Sequence, residues 1–229
     1  MVRGERDWAA LRRRFQQDRR LLIPEFLEAA AAERLHAALA HEVPFDLAVR
    51  HDRADRKLVA PTPAESAAAI ARAAEEAADQ HYGFAYDSYM MVTAYLEGRD
   101  PQLPLHRLLE VLNSPNYLDL MRFLTGQPVV KLDAQATRYR PGHFLRRHND
   151  FHPTDGRLCA YVLNLSRSWQ ADWGGLLQFL DAAGQVTGTF MPGYNQLAIF
   201  EVPQWHVVSL VAPWADAPRL SVTGWMLDH

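Results

Sequence analysis

The sequence predicts a mainly β fold, a sandwich or barrel, with helices packed against it. The composition of the 229-residue chain changes near residue 127, where a first part rich in Ala, Leu, Arg and Glu gives way to short β-type runs. Several such runs with regular turn residues between them are typical of sandwiches and barrels. Because no Gly/Ser linker separates the two parts, we expect a single domain over 1–229. It would have a helical support region at 1–127 and a β core at 128–229.

Two alanine-rich segments predict helices in the first part of the chain. Residues 27–42 and 64–80 consist largely of alanine and long, unbranched side chains, which lose little conformational entropy in a helix. The segment 43–63 between them is polar and contains Pro44, Pro61 and Pro63. It therefore predicts a loop or a lid.

A third helix is indicated by residues that favour helix ends. Ser114 can cap its start, Pro115 suits its first turn, and Gly126 can end it. An apolar stripe at helical spacing lies between these ends and consists of Leu118, Met121 and Leu124.

The second part of the chain predicts strands. Its β-type runs are 129–140, 158–166, 176–181, 184–191, 195–202, 206–212 and 219–227. Gly, Pro, Asp and Asn stand between these runs, and Gly174-Gly175 predicts a tight turn before the third of them.

Composition excludes several classes of function. The net charge of −3 gives no overall field that would attract nucleic acid or an anionic membrane. The single cysteine, Cys159, excludes an internal disulfide and a cysteine zinc cluster. No apolar stretch approaches the length of a membrane helix, and the charged N-terminus has no apolar signal core. The expected compartment is the cytoplasm, without nucleic-acid or membrane partners, and the oligomeric state stays open.

Three residues form a candidate metal site. On an extended backbone, His148 and Asp150 would point to the same face, and His206 opens a later β-run. Two histidines and one carboxylate leave open positions on an iron ion, as oxygen activation requires. The alternatives are a solvated loop for His148 and Asp150, and a buried histidine bound to a carbonyl for His206.

Arg219 and Ser221 alternate along the last β-run, so their side chains share a face. The arginine could form a bidentate pair with a carboxylate, and the serine could add a hydrogen bond; otherwise Arg219 is a surface residue on an exposed strand. Tyr139 could donate its hydroxyl to a ligand or pack in the core.

A set of arginines flanks this presumed site, as a solvated rim or as a docking surface for a polypeptide, and consists of Arg140, Arg146, Arg147 and Arg157.

The ordered motifs YRPG (139–142), HND (148–150), YVLN (161–164) and RLSVTGW (219–225), with His206 before the last, resemble the iron(II)/2-oxoglutarate-dependent dioxygenases of the prolyl 4-hydroxylase type. The resemblance covers about 129–227. In addition, 19–39 is similar to the family's opening strand and helix, and 112–126 to a later helical segment.

The resemblance implies a double-stranded β-helix, or jelly roll, with His148, Asp150 and His206 as the iron ligands. Arg219 would bind the distal carboxylate of 2-oxoglutarate, Ser221 and Tyr139 would line the co-substrate site, and no further catalytic residue is implied. One position departs from the pattern. Where some relatives carry a tyrosine that binds 2-oxoglutarate, this chain has Val162, with Tyr161 on the opposite face.

The activity that the resemblance implies is hydroxylation of a C–H bond, most simply in a prolyl residue of a protein or peptide substrate. Its cofactors would be Fe(II), 2-oxoglutarate as co-substrate, O2, and ascorbate as a reductant; 2-oxoglutarate would be decarboxylated to succinate. One alternative is a hydroxylase of a free amino acid or another small metabolite. The other is a cupin-like metal-binding protein without oxygenase activity.

Overall fold

The computed structural model describes residues 1–4, 6–78 and 82–229. Within them lie six α-helices: α1 (Trp8–Asp18), α2 (Ala29–His41), α3 (Pro63–Ala78), α4 (Met91–Leu96), α5 (Pro104–Leu112) and α6 (Pro115–Thr125). The strands before residue 128 are β1 (Arg20–Ile23), β2 (Asp46–His51), β3 (Ala54–Leu58) and β4 (Phe84–Met90). The later ones are β5 (Lys131–Leu132), β6 (Gln135–Tyr139), β7 (Phe144–His148), β8 (Arg157–Leu165), β9 (Leu177–Leu180), β10 (Val186–Phe190), β11 (Tyr194–Glu201), β12 (His206–Val208) and β13 (Arg219–Leu227).

These strands form one antiparallel, nearly closed sheet. The strand order is β1, β11, β8, β13, β6, β4, β7, β12, β9, β10; β2 joins β4 and carries β3, and β5 joins β13. The prediction of a mainly β fold with flanking helices is confirmed.

Successive residues of each strand face opposite sides of this sheet, and helices cover the outer side. On β8, Tyr161 and Leu163 are buried in the cluster that holds Leu35 and Leu39 of α2. Ala160 and Val162, on the other face of the same strand, are buried in a separate cluster with Phe200. The sheet therefore has a helix-covered outer face and an inner face that is free to form a cavity.

Most of the predicted elements lie where the sequence places them. Helices α2, α3 and α6 match the predicted segments, although residues 79 and 80 of the second lie outside the described residues. Gly126 ends α6 with a φ of 73°. Ser114 stands at the N-cap but makes no cap hydrogen bond with its side chain; its hydroxyl donates instead to the carbonyl of Val111 at 2.7 Å.

The prediction of a loop or lid over 43–63 is wrong for most of that segment. β2 and β3 pair as an antiparallel hairpin, and β2 extends the main sheet by pairing with β4. Leu47 and Val49 alternate with partly exposed residues and are buried against α3. Asp52 and Arg53 form the turn with positive φ angles of 52° and 57°, as two-residue hairpin turns require.

Gly174 and Gly175 both have positive φ, so the predicted turn is present. A Cβ on Gly174 would lie 2.0 Å from the carbonyl oxygen of Leu210, whereas a Cβ on Gly98, at a similar φ of 66°, would meet no atom within 4 Å.

We expect Gly174→Ala to lower the free energy of unfolding by about 1–3 kcal/mol more than Gly98→Ala, because only the first adds a backbone clash to the left-handed strain. Urea unfolding of both variants measures this difference, and equal losses would contradict the prediction.

Among the described residues, no helix combines the length and the apolar character that a bilayer-spanning segment needs.

Candidate metal and co-substrate site

His148 and His206 face each other across two adjacent strands. They are paired positions of β7 and β12, and their ring centroids lie 4.1 Å apart. His206 is buried and His148 partly buried. The strand pairing therefore places two imidazoles side by side on the inner face of the sheet.

Asp150 supplies the third group of the cluster. Its carboxylate lies 3.4 Å from Nε2 of His148 and 3.4 Å from Nε2 of His206, and one donor atom from each residue lies within 4.8 Å of the others. The expected reason for this proximity is wrong, however. β7 ends at His148, and Asp150 has a φ of 60° rather than an extended backbone, so a left-handed turn brings its carboxylate back beside the ring.

Backbone carbonyls orient both imidazole rings. Nδ1 of His148 lies 2.8 Å from the carbonyl oxygen of Arg146, and Nδ1 of His206 lies 2.8 Å from that of Gln204. A neutral ring that donates from Nδ1 carries a lone pair on Nε2. Both lone pairs and the carboxylate therefore converge on one point, which is an arrangement that a cation would stabilise.

The environment sets the protonation of this cluster. Burial opposes ionisation of Asp150, but contacts with both imidazoles and with the indole of Trp225 outweigh it and hold its pKa below the ordinary value. Burial, together with the neighbouring His148, lowers the pKa of His206 to about 4. At neutral pH the cluster thus contains an ionised carboxylate at Asp150 and a neutral imidazole at His206. Both groups are ligands that suit an iron(II) ion with open coordination positions.

Arg219 lines a cavity that is also lined by His148, Asp150 and His206. It is 2% exposed, so it is not a surface residue. Its Nε and Nη1 have no hydrogen-bond partner among the described residues, and burial lowers its pKa. Its guanidinium carbon lies 5.1 Å from the ring centroid of Tyr139. A buried cation without a counter-charge is unfavourable, so this position fits an anionic ligand.

Ser221 and Tyr139 also line this cavity of about 510 Å³. The Ser221 hydroxyl lies 2.8 Å from that of Thr137. Tyr139 stacks on Tyr86 with ring centroids 5.2 Å apart, and burial raises its pKa far above the ordinary value. Its phenol is therefore protonated at neutral pH and able to donate a hydrogen bond.

Residues 134–227 match the model of the family described as the 2OG-Fe(II) oxygenase superfamily. This segment contains the three residues of the metal cluster together with Arg219, Ser221 and Tyr139. This part of the chain is therefore similar to that superfamily. The family prediction made from the motifs is thereby confirmed.

A curated relative is similar to part of the chain. The prolyl 3-hydroxylase OGFOD1 of Mus musculus is 33% identical over 134 residues, which are 56% of this chain and 24% of the mouse protein. The chain therefore spans about a quarter of the length of that relative.

Solved structures of 2OG-Fe(II) oxygenases share the fold. A prolyl-4-hydroxylase from Pseudomonas putida has a TM-score of 0.60 and 21% identity, with 97% of this chain and 99% of that chain covered. A prolyl hydroxylase from Trichoplax adhaerens, in complex with a peptide fragment of hypoxia inducible factor, has a TM-score of 0.64 and 15% identity, with 98% and 94% covered. The predicted jelly-roll core is confirmed.

The position that departs from the superfamily pattern lies as expected. Val162 faces the cavity, and Tyr161 is fully buried on the other face, where its hydroxyl donates to the carbonyl of Asp133 at 2.7 Å. Sequence reasoning missed Tyr86 on β4, which lines the cavity beside Tyr139. The alternation of aromatic residues in 84–90 was the signal that could have identified this strand.

The four arginines expected around the site divide between different places. Arg157 lines the cavity, whereas Arg140 lines a cleft on the other side of the sheet. Arg146 donates to the carbonyl of Ala77. Arg147 lies over the ring of Trp205 at 4.5 Å. Strand alternation sends neighbouring arginines to opposite faces, which a count of charges along the sequence does not show.

Trp225 is a second residue that sequence reasoning did not assign to the site. Its indole helps to hold the pKa of the Asp150 carboxyl below the ordinary value, and Arg157 lies 3.8 Å over its ring. We expect Trp225→Phe to weaken Co(II) binding about 10-fold, because it keeps an aromatic ring but removes the indole N–H that favours the ionised carboxylate. Calorimetric titration measures the affinity.

The control for this prediction is Trp214→Phe. Trp214 is exposed, and its indole donates to the carbonyl of Asp172 at 3.2 Å, outside the metal cluster. Its substitution should leave Co(II) affinity unchanged; equal affinities in both variants and the wild type would disprove the role of Trp225.

Proposed function

We propose that this protein is an Fe(II)- and 2-oxoglutarate-dependent dioxygenase that hydroxylates a prolyl residue of a protein or peptide. The observation that carries the proposal is the juxtaposition, in one cavity, of His148, Asp150 and His206 with the unpaired guanidinium of Arg219. The first three match what ferrous iron requires, and the fourth matches what a dicarboxylic acid requires.

The iron would be held by Nε2 of His148, Nε2 of His206 and the carboxylate of Asp150. Three protein ligands leave the remaining positions of an octahedral ion open for a co-substrate and for O2. When iron, 2-oxoglutarate and O2 are bound, such a centre supplies the hydroxylation chemistry, with succinate and CO2 as products. Because backbone carbonyls fix both rings, little reorganisation is needed when the metal binds.

Arg219 would bind the distal carboxylate of 2-oxoglutarate. Two of its guanidinium nitrogens, Nε and Nη1, have no partner among the residues that the structure describes, and a planar fork of donors suits a carboxylate better than a point charge does. The protonated phenol of Tyr139 and the hydroxyl of Ser221 would add hydrogen bonds from the same cavity. These side chains would hold the co-substrate in one orientation and keep it beside the metal.

The protein also limits access of water to the reacting centre. The cavity wall near His206 is apolar and includes Leu177, Phe200 and Val208. A cavity of about 510 Å³ has room for a small dicarboxylic acid together with one side chain of a substrate. Exclusion of water strengthens the electrostatic contacts of Arg219 and Asp150 within the site.

The proposal of a peptide substrate is supported by the similar proteins. The mouse relative is a prolyl 3-hydroxylase, and the Trichoplax adhaerens structure contains a peptide. At the mouth of the cavity, the side chains of Tyr82 and Phe151 are 43% and 63% exposed. Exposed aromatic rings beside a deep site offer a surface on which a chain segment could lie while one residue enters.

An anaerobic titration tests the activity directly. Addition of Fe(II) and then 2-oxoglutarate to the purified protein should give a weak visible charge-transfer band, and admission of O2 with ascorbate as the reductant should give succinate. The absence of both 2-oxoglutarate binding and succinate formation would refute the dioxygenase proposal and favour a cupin-like metal protein.

The substrate needs a separate experiment. Proteome-wide mass spectrometry of cells with and without this protein should reveal a prolyl residue that gains one oxygen atom only when the protein is present. If no protein changes while succinate formation is stimulated by free proline or another small metabolite, the peptide substrate is wrong and the dioxygenase activity stands.

A further inference from the structure

A second cleft, here called the outer cleft, lies on the other side of the sheet from the metal site. Along β6, Thr137 and Tyr139 line the inner cavity, whereas Arg138 between them lines the outer cleft. Along β4, Tyr86 faces the inner cavity and Asp87 the outer cleft. The outer cleft has a volume of about 610 Å³, within the usual range of small-molecule sites.

We propose that the outer cleft binds a small organic carboxylate, whose anionic group pairs with Arg138 and Arg140 and whose apolar body lies against Phe45 and Ile70. This proposal is independent of the proposed activity of the inner cavity. It depends on the charges, the unpaired donors and the walls of the outer cleft.

The charges of the outer cleft do not balance. The buried carboxylate of Asp87 accepts from Nε of Arg138 at 2.8 Å and from Nη2 of Arg140 at 3.1 Å. Among the described residues, neither arginine forms an ion pair with any other carboxylate. One carboxylate thus serves two guanidinium groups, which leaves an excess positive charge and several N–H donors for a second anion.

His143 adds a further unpaired group to the same cleft. The residue is fully buried and lines the cleft, and its Nδ1 lies 3.2 Å from the backbone nitrogen of Arg140 and 3.3 Å from the carbonyl oxygen of Arg138. When Nδ1 accepts from Arg140, the neutral ring carries its proton on Nε2, and Nε2 has no partner within the described part of the chain. A buried N–H donor without an acceptor is unfavourable, and a bound anion would supply the acceptor.

The remaining walls of the outer cleft are apolar. Phe45 packs under the guanidinium of Arg138, with the guanidinium carbon 4.6 Å from the ring centroid. Pro61, Pro63 and Ile70 complete the opposite wall. A cleft with a cationic end and apolar sides suits a carboxylate on a hydrocarbon body better than it suits inorganic phosphate.

Phenylacetate is a suitable probe because it has one carboxylate, an aromatic body and no keto group that could chelate a metal. Calorimetric titration of the wild-type protein with phenylacetate should show saturable binding at one site. Arg140→Gln should weaken that binding at least about 10-fold, since it removes the excess charge. The exposed, distant Arg14→Gln is the control and should leave the binding unchanged.

Two further variants separate the outer cleft from the inner cavity and from misfolding. Ala67 lies on the exposed side of α3 and lines the cleft, whereas Ala68 is exposed but does not line it. Ala67→Trp should block the binding of phenylacetate, whereas Ala68→Trp should not. Both variants keep Asp87, Arg138 and Arg140. Arg219→Gln should retain binding. Absence of saturable binding to the wild type, loss of binding in Arg219→Gln, or binding that survives Ala67→Trp would each overturn the proposal.

Discussion

Asp150→Ala is expected to abolish metal binding at the inner site and, with it, succinate formation. The carboxylate is the only anionic group of the three-residue cluster, and it contacts both imidazoles at 3.4 Å. Its loss leaves two neutral nitrogen donors for a divalent cation. Since loss of an outer hydrogen bond alone weakens metal binding about 10–100-fold, we expect loss of this ligand to weaken Co(II) binding by more than about 100-fold.

The matched control for Asp150→Ala is Asp216→Ala, which removes an exposed aspartate that is outside the metal cluster. Both variants are titrated anaerobically with Co(II) and Fe(II), and their thermal unfolding is compared without metal to exclude misfolding. Wild-type metal affinity in Asp150→Ala would show that the assignment of the ligands is wrong, whatever the catalytic result.

Arg219→Gln is expected to cause a large loss of affinity for 2-oxoglutarate. Removal of one partner from a buried, hydrogen-bonded charge pair costs about 2–5 kcal/mol, which corresponds to a loss of affinity of roughly 30-fold to several thousand-fold. Arg219→Lys keeps the charge but loses the planar fork, so its affinity should lie between those of wild type and Arg219→Gln. Titration of the metal-loaded protein with 2-oxoglutarate gives all three affinities.

Replacement of Arg219 should stabilise the ligand-free protein, although it weakens the binding of 2-oxoglutarate. Arg219 is buried, and its Nε and Nη1 have no partner within the described part of the chain. Arg219→Met should therefore raise the Tm of the ligand-free protein, because it replaces a buried charge by an apolar side chain. In contrast, 2-oxoglutarate should raise the Tm of the wild type but not that of Arg219→Met. A variant that is stabilised equally by 2-oxoglutarate would contradict the role given to Arg219.

Much of the site could be predicted from the sequence because its chemistry depends on residue types in a fixed order. The sequence alone points to His148, Asp150, His206 and Arg219, and the structure brings their side chains to one cavity. The reason given for the first pair was nevertheless incorrect. The strand ends at His148, and a left-handed residue makes the approach. Such a local reversal leaves no periodic signal in the sequence.

The fold was less predictable in the first part of the chain. The β2–β3 hairpin was interpreted as a loop because its residues are polar and prolines flank it. Its strands exist because Leu47 and Val49 are buried against α3, a contact between segments that propensity along the chain cannot reveal. The aromatic residues of 84–86 are a sequence signal for strand β4, but the place of Tyr86 in the cavity depends on which strands pair and is not visible in the sequence.

The rings of His148 and His206 are each oriented by the carbonyl two residues earlier in the chain, which belongs to Arg146 and to Gln204 respectively. Every amino acid has that carbonyl, so the side chains at 146 and 204 are not needed to aim the imidazoles. Replacement of either side chain should therefore leave the aim of the two rings unchanged, as long as the backbone at 146 and 204 keeps its position.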